Sequence, residues 1–207
     1  MNVLQIDSSI VGDYSVSRAL TAKAVTMLKE QHPDATVIVR DLHDDAPQHL
    51  TGELLPVLGG PKEGLTGQQQ AELERVETWL AEFLAADVLV VGAPQYNFSI
   101  PSQLKAWFDR IAQAGRTFRY TAHGPVGLAG DKRVIVASTR GGFRKDSSRL
   151  DLHEQTIEAF FNLLGITNIT YVRAEGLGHG DEHRAAGMAA AENALHAALG
   201  SAIEAEV

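Results

Sequence analysis

The chain has no cysteine, which removes disulfides, thiolate nucleophiles and cysteine-ligated metal sites from consideration. Positive charge is scarce: 18 basic residues face 26 acidic ones, for a net charge of −8. Such a chain lacks the basic face that neutralises nucleic-acid phosphates. It also has no electrostatic reason to dock on an anionic membrane. No apolar run approaches the roughly 20 residues needed to span a bilayer. The opening "MNVLQIDSS" has no basic start and reaches an aspartate at once, unlike a secretory leader. These absences predict a cytoplasmic protein with no nucleic-acid partner and no membrane anchor. Two catalytic signatures are missing as well. "GPVGLAGDK" at 124–132 departs from the phosphate-binding G-x-x-x-x-G-K-[ST] pattern in spacing and in its missing hydroxyl. There is also no G-x-S-x-G elbow of the hydrolase type.

What is present is an ordinary globular balance, with 44% hydrophobic and 21% charged residues in a chain of 207. Five β-rich runs stand out: 2–6 "NVLQI", 36–40 "TVIVR", 88–92 "VLVVG", 133–138 "RVIVAS" and 169–173 "ITYVR". Each is continuous rather than alternating, as expected for strands covered on both faces. Helical spacing of apolar residues predicts helices over 16–31, 68–86, 101–114, 150–164 and 181–204, the third opening with Pro101 as its first helical residue. Residues 44–67, with Pro47, Pro56 and Pro61, form the one long irregular segment, a surface excursion. The strand–helix rhythm predicts one α/β domain over residues 1–207. Its doubly wound, five-stranded parallel sheet has helices on both faces and strand order 2-1-3-4-5. His179 and His183 sit four apart, but Gly178 and Gly180 argue against a helix there. That stretch reads as a surface loop, and no metal site is expected.

In such a sheet, ligands bind beyond the carboxyl ends of the strands, where the strand order switches. The loops that matter are then "DSSIVGDYSVSR" (7–18), "APQYNFSIP" (93–101) and "STRGGFRKD" (138–146). The first is rich in hydroxyls and has no lysine. Ser15 is a candidate N-cap with Ser17 in the first turn. The serines either cap the helix or, with Ser9, join its free N–H groups in holding a phosphate monoester. In the second loop, Tyr96 and Phe98 are either core or the walls of an apolar slot. Asn97 either makes a turn or reads the polar edge of a heteroaromatic ring. In the third, Gly141 and Gly142 permit close backbone approach. A phosphate end, a ring slot and a glycine wall on one rim match the shape of flavin mononucleotide (FMN).

These residues resemble a known family. "SS" at 8–9, "SVS" at 15–17, "APQYNFSIPSQLKAWFD" at 93–109, "TFRYTAHGPVGL" at 117–128 and "TRGG" at 139–142 are similar to the FMN-dependent NADH-azoreductases. Those are flavodoxin-like NAD(P)H:quinone oxidoreductases, and the similarity runs over essentially the whole chain. The resemblance implies FMN contacts at Ser9, at Ser15, Val16 and Ser17, at Pro94, Gln95, Tyr96, Asn97 and Phe98, and at Thr139, Arg140, Gly141 and Gly142. Gln95 stands where the family often has methionine. The resemblance further implies NADH or NADPH as co-substrate, quinone and azo acceptors, a two-step exchange of two electrons, and a homodimer with sites near its interface. An aromatic over the flavin is implied too. Tyr120 is one candidate and Phe160 and Phe161 are others, with the aliphatic Leu163 an equal candidate to face the site from the same helix. No triad or carboxylate pair is required, because the cofactor carries the redox chemistry. A flavodoxin-type electron carrier without its own substrate is the alternative reading.

Overall fold

The computed structural model describes residues 1–60, 63–130, 132–144 and 151–200. Pro61, the loop residues Lys145 and Asp146, the expected helix start at Leu150 and the tail from 201 lie outside them. The strands are β1 (Asn2–Asp7), β2 (Thr36–Asp41), β3 (Val88–Pro94), β4 (Phe118–Thr121), β5 (Gly124–Gly127), β6 (Arg133–Thr139) and β7 (Asn168–Ala174). The helices are α1 (Val16–Gln31), α2 (Leu55–Gly59), α3 (Gly67–Ala85), α4 (Ser102–Ile111), α5 (Leu152–Leu163) and α6 (Asp181–Leu199). Five strands form a parallel sheet in the order β2-β1-β3-β6-β7. With the separate β4–β5 hairpin left out of the count, that is the expected 2-1-3-4-5 order.

Successive side chains of a strand point to opposite faces, and each face here has its own helices. Val3, Val88, Val90, Ile135 and Val172 pack with Leu20, Ala24 and Leu28 of α1 and Ala191, Leu195 and Leu199 of α6. Leu4, Ile6, Leu89, Val91 and Val136 pack against Trp79, Leu80 and Phe83 of α3, Leu104, Trp107 and Phe108 of α4, and Ile157 and Phe161 of α5. β3 is buried at every position, which is why its sequence shows no alternation. β2 departs from the expectation of two covered faces, being mostly exposed or half-buried. It is an edge strand with one partner, and only Val37 joins a core, as a partly buried member.

The helix ends follow local chemistry. Ser15 caps α1 by accepting from the Arg18 N–H. Thr66 and Gln69 form a reciprocal capping box on α3. Pro101 takes the N-cap position of α4, not the first helical one. α4 stops at Ile111 rather than 114, because the Thr117 hydroxyl donates to the Ile111 carbonyl at 2.7 Å and accepts from the Gln113 N–H at 2.9 Å. The excursion is less irregular than expected. Its Leu54 and Val57 are buried around the short α2. His183 lies in the first turn of α6 rather than in a surface loop.

Candidate functional site

The carboxyl ends of β1, β3 and β6 bring three loops to one rim. After β1, the buried Ser8 hydroxyl donates to the Gly92 carbonyl at 2.5 Å, tying the first loop to β3. The chain then makes a short 3-10 turn, Gly12–Tyr14, and enters α1 at Ser15. The Ser15 and Ser17 hydroxyls lie 3.0 Å apart, and Ser15 Oγ accepts from Arg18 N–H at 3.2 Å. The Val16 and Ser17 N–H groups have no hydrogen-bond partner among the described residues. This is the donor set of a helix start facing an anion.

Below this loop lies Asp7, 2% exposed. It accepts from Thr21 at 2.6 Å and Gln5 at 2.8 Å. Burial raises its carboxyl above the usual range, against the opposing pull of those hydrogen bonds and the Arg18 charge.

The second loop opens with Gln95 N–H donating to the Thr139 carbonyl at 2.7 Å, which joins it to the third. Tyr96 and Ser99 then exchange backbone hydrogen bonds of 2.9 and 3.0 Å. The two residues between them, Asn97 (φ 46°) and Phe98 (φ 72°), are the only non-glycine residues with positive φ among those described. A tight turn with both central residues left-handed normally uses Asn-Gly or Gly-Gly, and a phenylalanine there is a strained choice. The Tyr96 hydroxyl reaches back to the first loop, 3.2 Å from Ser9 Oγ and accepting from Ile10 N–H at 3.3 Å.

In the third loop, the carbonyls of Arg140, Gly141 and Gly142 accept from Leu177, Gly178 and Gly176 N–H at 3.2, 2.9 and 2.7 Å. The Gly141 and Gly142 N–H groups are left without a partner among the described residues. The Arg140 side chain is 6% exposed and bonds Asp151 at 3.1 Å. Its Nε and Nη2 are buried without a hydrogen-bond partner.

Beside Arg140, Glu154 accepts from Ser138, Arg144 and Arg173 at 2.8–2.9 Å. Burial alone would raise that carboxyl. The bonds from Arg173 and Ser138 and the arginine charges outweigh it and hold the group below its usual range. Burial, helped by the Arg140 charge, pushes the His153 imidazole down to about 4, so it is neutral at pH 7.

The three loops enclose a cavity of about 170 Å3. Of the expected residues, Ser9, Ser15, Val16, Pro94, Gln95, Tyr96, Thr139, Arg140 and Gly141 line it. Ser17, Asn97, Phe98 and Gly142 are not in its wall; each adjoins or lies one turn from a residue that is. Val11, Tyr14 and Leu177 also line it and were not anticipated. An aromatic in a serine-rich loop was a usable hint for Tyr14; nothing in the loop after β7 marks Leu177.

Tyr120 is elsewhere. It is 74% exposed and borders a larger, mainly apolar cavity of about 670 Å3 with Leu50, Leu55, Leu58 and Phe118. Phe161 is core, and Phe160 stacks on Phe108 at 3.7 Å. A third cavity, of about 520 Å3, lies at Phe143, Arg144, Arg173 and α6. Neither of the larger two gathers the ends of β1, β3 and β6.

The unpaired N–H groups of Val16 and Gly141, both on residues that line the small cavity, suit a ligand that brings hydrogen-bond acceptors, such as a phosphate or a polar-edged ring. The family model described as "Flavodoxin-like fold" matches residues 1–199. An FMN-dependent NADH:quinone oxidoreductase of Cupriavidus necator is 68% identical over 197 residues, 95% of this chain and 96% of that protein. One from Azospirillum brasilense is 54% identical over 201 residues, 95% of this chain and 97% of its own length. Among solved structures, an FMN-dependent NADH-azoreductase from Bacillus anthracis in complex with FMN aligns with a TM-score of 0.83 at 28% identity, covering 96% of this chain and all of that one.

Proposed function

The chain belongs to the flavodoxin-like fold family, and on that premise we propose that it is an FMN-dependent NADH:quinone oxidoreductase with azoreductase activity. The names of relatives at 68% and 54% identity over nearly the full chain support it, as does the azoreductase fold match. The observation that carries it is the rim where Val16 and Gly141, from two different loops, line one cavity with their N–H groups unpaired, and where the adjoining Ser17 and Gly142 N–H groups are unpaired too. Val16 and Ser17, with the hydroxyls of Ser9, Ser15 and Ser17, would hold the FMN phosphate. Pro94 to Phe98 and Thr139 to Gly142 would hold the ring, with the Asn97 amide reading its pyrimidine edge. When bound, FMN supplies the redox chemistry, taking two electrons from NADH and delivering them to a quinone or azo compound. The Gly141 and Gly142 N–H groups would supply fixed donors to the negative charge of the reduced ring. Tyr96 and Phe98 exclude water from one face.

A homodimer is supported by the apolar surface at Leu55 and Tyr120, which would set Tyr120 against a neighbouring subunit. Among the described residues no helix is long and apolar enough to cross a membrane, and a cytoplasmic location is consistent with that. The test has two steps. The protein, incubated with FMN and desalted, should retain a flavin absorbance spectrum. It should then oxidise NADH steadily when a quinone is supplied. Retained flavin with negligible turnover would mean an electron carrier. A colourless product would overturn the reading altogether.

A further inference from the structure

We propose that Arg18 is the specificity-determining cation that makes this cradle select FMN over unphosphorylated riboflavin. The proposal rests on the FMN reading above and concerns what lies behind the cradle. Phosphate needs positive charge, and this rim has little. The first loop contains Asp7 and Asp13 but only one basic residue, Arg18. Asp7 and Asp41 are register partners at the ends of β1 and β2, so two carboxylates stand side by side at the edge from which Ser8 and Ser9 lead. A dianionic phosphate brought there meets a rim that is already anionic. The neutral N–H groups and the helix end supply at most about half a unit of positive charge.

Arg18 offsets that deficit. Its backbone N–H donates to Ser15 Oγ at 3.2 Å, which fixes Arg18 in the first turn of α1, two residues after Val16 of the cavity wall. Its Nη1 lies 2.5 Å from Asp41 Oδ2 and 4.0 Å from Asp7 Oδ2. These are the only ion pairs of Asp7 and Asp41 among the described residues. Arg18 Nε and Nη2 are shielded from water and have no hydrogen-bond partner, so the guanidinium is not used up by the two carboxylates. Arg140, which lines the cavity, is shared among three carboxylates, Asp151, Glu154 and Glu175, whereas Arg18 is shared between two.

The experiment compares FMN and riboflavin affinities of the full chain by flavin fluorescence quenching. A unit charge several ångströms away, at an effective dielectric near 20, changes phosphate affinity on the order of tenfold. Arg18→Gln should weaken FMN by about that factor and leave riboflavin within about twofold, and Arg18→Lys should recover most of the loss. Asp41→Asn should move the ratio the other way, tightening FMN. It can keep the side-chain acceptor for His43 N–H, now 3.0 Å away, and so provides a test if Arg18→Gln fails to fold. Raising salt should shrink the differences between variants.

Equal loss of both flavins in Arg18→Gln would make the residue merely structural. An unchanged ratio in either variant would overturn the proposal. If the wild type itself binds no FMN, it is the functional reading that fails.

Discussion

Two turns beside the rim cavity are built in opposite ways. In the turn after β3, Asn97 and Phe98 hold φ values of 46° and 72°, a backbone glycine adopts freely, yet both positions keep side chains. In the turn after β6, Gly141 and Gly142 are not among the glycines with positive φ. Among the described residues, chain neighbours aside, a Cβ on Gly141 would come no closer than 3.8 Å to any atom, and one on Gly142 would meet nothing within 4 Å. Neither backbone conformation nor packing asks for glycine there. Each turn therefore carries the residue type that the fold alone would not select, and the proposed FMN site gives a reason for both: side chains beside the ring in one turn and bare N–H groups in the other.

Elsewhere the fold does require a glycine. Gly127, in β5, approaches the turn after α5 so closely that a Cβ would lie 2.0 Å from Gly165 N and 2.1 Å from the Leu164 carbonyl carbon. Gly127→Ala must push backbone apart. It should lower stability by about 3 kcal/mol or more, at the upper end of overpacking costs, in urea unfolding without flavin. Gly142→Val should do the reverse: unfolding unchanged, but FMN affinity reduced roughly tenfold to a hundredfold, the equivalent of about 1–3 kcal/mol of crowding. A stability loss matching that of Gly127→Ala would mean that Gly142 serves the fold after all.

The other turn predicts opposite signs. Phe98 is 73% exposed, so removing its ring gives up little burial, while glycine relieves a strained φ. Phe98→Gly should stabilise the flavin-free protein by about 1 kcal/mol, after the unfolded-state entropy of glycine is deducted. For a chain of this size that is about 2–4 °C in Tm. FMN binding should weaken at the same time. A variant that is both more stable and equally tight would show that the strain has no function.

How far the chain could be read in advance follows from the same contrast. β1, β3 and β6 were legible because strands buried on both faces are apolar throughout. The exposure of β2 was not, because "TVIVR" reads like a core strand and its edge position is set by the sheet. The β4–β5 hairpin was missed because four-residue strands carry too little periodicity, and its close contact at Gly165 is made through space. The three loops stood out by their prolines, paired aromatics and glycines. Tyr14 offered a hint, as an aromatic in a serine-rich loop, but Leu177 did not, since it joins the cavity by position alone. The pairing of Arg18 with Asp41 depends on strand register, which no local pattern encodes.

The smallest expected effect concerns the link between the first loop and the aromatic wall. The Tyr96 hydroxyl lies 3.2 Å from Ser9 Oγ and accepts from Ile10 N–H at 3.3 Å, so one oxygen couples the first loop, the proposed phosphate cradle, to the second, the proposed ring slot. Both contacts are long, and the site is partly open, so Tyr96→Phe should cost about 0.5–1 kcal/mol of FMN affinity, a few-fold in Kd. The ring itself stays, so thermal unfolding without flavin should not move. Riboflavin supplies the control. It fills the ring slot without loading the cradle, so its affinity should change less than that of FMN. If both flavins lose affinity equally, the hydroxyl supports the aromatic wall only, and the two loops act independently.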